Sequence, residues 1–178
     1  MLTRMLLSLV LAWILCTTAC DQRSAPSVQP LPSAGKSTDG LPTKAQPRLQ
    51  TLKLWLGVNE IQAEIAMTRQ EIATGMMFRT NVVESEGMLF VFGSPMRASF
   101  WMHNVPIPLT CAYIAANGDI LEIREMKAND DSPIEAAVDT VQYVLEMKQG
   151  WFERNKVTIG TTVRTERGSF HQTFQRQQ

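Results

Sequence analysis

Apolar residues recur at every second position over Leu52, Leu54 and Leu56, and again over Ile61, Ala63 and Ile65. This is the period of a strand buried on one face, and the turn residues Gly57 to Asn59 between the two runs predict a hairpin. Further strands are predicted over Gly87 to Phe92, Ala98 to His103, Leu109 to Ala115, Asp119 to Met126, Thr140 to Met147 and Thr161 to Thr165. Asn117-Gly118 separates two of them and suits a tight turn, since both residues tolerate positive φ. One helix is predicted over Arg69 to Phe78, because Thr68-Arg69-Gln70-Glu71 satisfies the capping-box pattern. A second short helix around Gln149 to Asn155 would pack Trp151 and Phe152 inward. Short strands with one or two short helices predict a mainly β domain, a β-sandwich or squashed barrel.

The pattern changes at both ends. Arg4 precedes the apolar run Met5 to Leu15, and Thr17, Thr18 and Ala19 lead into Cys20. Residues 1–19 read as a signal peptide, the apolar run being shorter than the ~20 residues needed to cross a bilayer. A small residue followed by cysteine resembles a lipobox, so Cys20 is the expected lipidation site, with Thr17 standing where leucine is usual. Acylation with two or more chains would anchor the protein stably. Asp21 after the cysteine resembles an inner-membrane retention signal. The expected location is therefore the cell envelope, facing the periplasm.

Residues 20–50 hold five of the nine prolines and almost no large apolar side chains, as a disordered linker does. Residues 51–165 suit one compact domain. Residues 166–178 are polar, with four glutamines from Arg167 onward, and read as a flexible tail.

Within the domain, Gly75-Met76-Met77-Phe78-Arg79, Gly87-Met88-Leu89-Phe90-Val91-Phe92, Phe100-Trp101-Met102-His103-Asn104, Pro108-Leu109-Thr110 and Tyr143-Val144-Leu145-Glu146 with Gly150 follow one another. They resemble, in the same order, the G-[LM]-M-x-R, G-M-L-F-x-F, F-W-M-K-N-T, P-L-D and Y-V-L-E-x-x-x-G motifs of the bacterial and archaeal DUF192 family, over roughly Leu52 to Thr165. The resemblance implies a mainly β, jelly-roll-like fold and no settled biochemical activity. The chain departs from the family pattern at three polar positions: His103 stands for lysine, Val105 for threonine and Thr110 for aspartate. Either the family's aspartate is structural, or chemistry that depends on it is absent here.

Arg79, Trp101, His103 and Asn104 are the polar or amphipathic members of these motifs and are the candidate ligand-binding residues. In an extended segment Trp101 and His103 share a face, a platform for stacking on a sugar or cation; the alternative is a core tryptophan with His103 at its edge. Arg79 either closes the helix C-terminus, or holds a ligand anion, or pairs with Glu146. Cys111 reads as a buried small hydrophobe.

Catalytic and metal readings are thin. No G-x-S-x-G elbow occurs, and a glycan hydrolase would have to draw two carboxylates from Glu84, Glu86, Asp130 and Asp131. Met76, Met77, Met88, Met96 and Met102 with His103 could suit Cu(I), though methionine more commonly fills core gaps. No metal or cofactor is expected. The 17 basic and 17 acidic residues balance, so charge gives no reason to expect nucleic acid. The expected partners are the membrane, through the lipid, and a small-molecule, glycan or envelope-protein ligand. A structural or assembly role is the third reading, beside binding and envelope polysaccharide or peptidoglycan hydrolysis.

Overall fold

The computed structural model describes residues 40–174. The expected signal peptide, Cys20, Asp21 and most of the expected linker lie outside the described residues.

The alternation of the first two runs becomes a hairpin of β1 (Thr51–Leu56) and β2 (Asn59–Ala66), paired from Thr51 with Glu64 to Leu56 with Asn59. Thr68 caps α1 (Arg69–Thr74) through the expected reciprocal bonds with Glu71. The helix is shorter than predicted because Gly75 turns at φ 46°. A Cβ there would meet the Phe90 ring at 3.3 Å, so glycine serves both the turn and the close approach.

The chain continues through β3 (Glu86–Met96), β4 (Ser99–Phe100), β5 (Leu109–Ala115), β6 (Ile120–Met126), β7 (Ile134–Glu135), β8 (Val141–Lys148), α2 (Trp151–Arg154), β9 (Val163–Thr165) and α3 (Phe170–Phe174). Seven strands form one sheet in the order β6-β5-β8-β3-β2-β1-β9, while β4 and β7 make a separate small ribbon. Among the described strands only β2 and β3 run parallel; α1 and the loop after it make the connection. The sheet curls into a half-barrel. Its edges approach at one end, where Ile120 N–H donates to Thr161 O, Gly160 N–H to Ile120 O and Val163 N–H to Gly118 O.

The central strands β3, β5 and β8 are apolar on both faces, so they divide two cores. Inside the curl lie Leu54, Leu89, Ile114, Leu145, Tyr143 and Val163 with Trp151 and Phe152 of α2. On the outer face Met88, Phe90, Cys111, Tyr113 and Val144 are covered by Met76, Met77, Met102 and Val105 from the long connections.

Two boundaries differ from expectation. The segment expected as tail forms α3, whose Phe170 and Phe174 rings lie 4.5 and 5.5 Å from Tyr143. Its buried Thr173 hydroxyl also bonds that of Thr165 at 2.6 Å. At the other end, residues 46–50 belong to the domain. Gln46 donates to the Gly75 carbonyl at the end of α1 and shares the Glu71 carbonyl with Gly75 N–H, and Ile65 N–H donates to Gln50 O. A sequence-local composition reading misses both, because these residues are held by partners far along the chain.

Candidate functional site

Strand register lines up Glu64 of β2, Met88 of β3, Glu146 of β8, Cys111 of β5 and Arg124 of β6 in one row across the outer face. The row carries two buried carboxyls with opposite fates. Glu64, 5% exposed, receives both arms of the Arg79 guanidinium at 2.5 and 2.8 Å, and Leu49 N–H at 2.7 Å. Burial pushes its pKa up, but the bonds from Arg79 and Leu49 outweigh that and hold it below the ordinary value. Glu146, 4% exposed, makes no hydrogen bond or ion pair among the described residues, and burial alone lifts its pKa to about 8. Its neighbour Cys111 is wholly buried, with burial first and the Glu146 charge second pushing the thiol to about 12. That is the environment of an inert core cysteine.

Two loops close over this row. Phe78 N–H donates to Asn104 O at 2.7 Å, and Met102 N–H and Asn129 N–H bind Asp130 O and Val105 O. The residues 76–79, 102–105 and 129–130 are thereby tied together. Immediately beside them Trp101 and His103 stack with ring centroids 4.7 Å apart and 17° between planes, and the Asp131 carboxylate accepts from His103 Nδ1 at 2.8 Å. Both rings are half-buried.

The four candidate residues thus come from two segments joined by one backbone bond. Trp101 and His103 do share a side, though through a turn; the strand expected over Ala98 to His103 stops at Phe100 because the following backbone bonds to the loops rather than to a strand. Arg79 pairs with Glu64, not with Glu146. Asn104 contributes its carbonyl to Phe78, from a left-handed backbone at φ 56°. Sequence reasoning missed Glu64, which was hidden as an ordinary polar position of an alternating strand. Glu146 carried a visible signal, a lone charge within the apolar run Val141 to Met147.

Thr110 has a structural task. Its hydroxyl accepts from Gly150 N–H at 2.8 Å, just ahead of α2, and donates to Glu125 at 2.7 Å. The aspartate of the family pattern could accept the same amide, so the substitution preserves a helix-start acceptor. The four loop acids are each engaged: Glu84 with Arg154 and Lys148, Glu86 with Arg48, Asp130 with Ser132 N–H and Asp131 with His103. Two surface clefts, of about 500 and 270 Å³, lie elsewhere, along β6 and Ala137–Thr140 and beside α3; neither is lined by Trp101, His103, Asn104 or Glu146.

The model of the DUF192 family, described as an uncharacterized group, matches residues 53–165. The chain belongs to the DUF192 family. Among solved structures it is similar to a protein of unknown function from Novosphingobium aromaticivorans, with 31% identity and a TM-score of 0.59 over 64% of this chain and 83% of that one. It also shares its fold with a Sinorhizobium meliloti protein proposed as a transcription regulator, at 24% identity and a TM-score of 0.64, over 68% of this chain and 98% of that one. No curated protein matches. The DUF192 domain accordingly shares its fold with both solved structures.

Proposed function

We propose that this protein is a membrane-tethered envelope lipoprotein whose DUF192 domain binds a small ligand, a glycan or an envelope protein at the Trp101–His103 face. The observation that carries the reading is the stacked ring pair itself. His103 is fixed by Asp131 and Trp101 by the His103 ring, so a half-exposed aromatic surface is held rigid at little further entropy cost to a ligand. Arg79 supports the loop rather than reaching the ligand, since Glu64 occupies its fork.

The tether rests on Ala19-Cys20-Asp21 in the sequence. Incorporation of labelled palmitate into the full chain, lost in Cys20→Ser, tests it together with membrane fractionation. For the binding reading, the full chain extracted from membranes is examined by native mass spectrometry for adducts. A reproducible adduct that disappears in Trp101→Ala and His103→Ala, with melting unchanged, supports binding. A structural role is the second reading, because Trp101 also packs on the outer core. It predicts that Trp101→Ala lowers melting and alters no adduct.

A further inference from the structure

Independently of the Trp101–His103 face, the seven-stranded sheet leaves one edge open. β6 stands at the end of the strand order and pairs with β5 alone. Closure of the curl reaches only its first residue, where Ile120 bonds Gly160 and Thr161. From Leu121 to Met126 the outward side of the strand has no backbone partner among the described residues. The cleft of about 500 Å³ follows this stretch and is lined consecutively by Leu121, Glu122, Ile123 and Arg124. Leu121 packs on the outer core and Ile123 on the inner one, so the cleft borders both faces and runs along the edge. Its far wall includes Val138, which is 39% exposed. An unpaired edge facing a cleft accepts one more strand.

The charges on the edge select that strand. Directly opposed side chains of an antiparallel pair share a face, so two copies of one strand related by a two-fold axis must centre on a residue. Within Leu121 to Glu125, centring on Glu122, Arg124 or Glu125 sets a charge against itself, and centring on Leu121 leaves the charges unmatched. Centring on Ile123 sets Glu122 against the partner's Arg124 and Arg124 against the partner's Glu122, and opposite charges so placed stabilise a ladder. Arg124 has donors to spare: its Nε donates to its own Glu122, its terminal guanidinium nitrogens have no acceptor among the described residues, and its side chain is 50% exposed. We propose that β6 pairs with β6 of a second copy of this chain, antiparallel about Ile123, so that two curled sheets join edge to edge.

The test follows the dimer by native mass spectrometry of the full chain extracted from membranes, over a dilution series. Wild type is expected to show a concentration-dependent dimer. Glu122→Arg and Arg124→Glu should each dimerise about tenfold more weakly, since each sets two like-charged pairs across the axis. Equimolar mixing of the two, one isotopically labelled, should restore a mixed dimer to the wild-type level, although neither copy regains its own Glu122–Arg124 pair. Because a charge reversal can disturb the fold, the second arm uses Ile123→Cys, whose Cα would lie about 5 Å from its counterpart, within disulfide reach under mild oxidation. Wild type, which keeps every native cysteine, is the control for that link. A wild type that stays monomeric at every concentration, single reversals that dimerise as wild type does, a mixture of folded variants that pairs no better than its components, or an Ile123→Cys protein that cross-links no more than wild type overturns the pairing.

Discussion

Phe78 and Asn104 both turn through the left-handed region, at φ 62° and 56°, and the amide of the first donates to the carbonyl of the second at 2.7 Å. Two unfavourable backbone turns therefore support each other across the gap between the loops that carry Arg79 and Trp101. Asparagine tolerates this conformation and β-branched residues do not. Asn104→Gly is expected to leave melting nearly unchanged, while Asn104→Val should cost about 1–2 kcal/mol in chemical denaturation. Equal stability of the two variants would show that the turn is not strained.

Arg79 and Glu64 form a nearly enclosed bidentate pair, with side chains 19% and 7% exposed. Removing the guanidinium strands a carboxylate that no water can solvate well. Arg79→Ala is expected to lose about 3 kcal/mol, and Arg79→Ala with Glu64→Gln to recover part of it, since an unpaired charge is costlier than an unpaired amide. A denaturant double-mutant cycle measures the coupling.

The domain should be less stable in mild alkali because of Glu146. Its folded pKa, about 8, lies above the ordinary value of 4.5. The folded state therefore holds the proton more tightly than the unfolded chain, and the stabilisation present below pH 4.5 is lost as pH rises through 8. The linkage is on the order of 5 kcal/mol across that interval. Glu146→Gln should melt near wild type at pH 5 and well above it at pH 8. Parallel melting curves of the two proteins over this range would refute the assignment.

Thr110 joins the start of α2 to β6 through Gly150 and Glu125. Thr110→Val keeps the shape and deletes both bonds, with an expected loss of about 1–2 kcal/mol. Thr110→Ser should restore most of it, which equilibrium unfolding of the three proteins would show.

Phe170 is wholly buried against Tyr143 from a segment whose composition reads as a tail. Phe170→Ala is expected to cost about 3 kcal/mol. Truncation after Thr165 should do at least as much damage, and a domain that melts unchanged without these residues would return them to the status of a frayed end.

The alternation of Leu52 to Ile65, the Thr68 capping box, the Asn117-Gly118 turn and the five motifs determined the strand-rich fold and the family, since each depends on neighbours a few residues away or on residue order alone. Export and lipidation are proposals that rest on the first 21 residues alone. What only the tertiary structure decided was pairing across long sequence separations: Arg79 with Glu64 instead of Glu146, Thr110 with Gly150, Phe170 with Tyr143, and the row that sets Glu146 between Met88 and Cys111. A one-dimensional pattern records which face a strand residue takes, because side chains alternate strictly. Which strand lies beside it, and so whether a buried charge finds its partner, depends on sheet order and register. The long connections fix these only once the chain has closed into its curl.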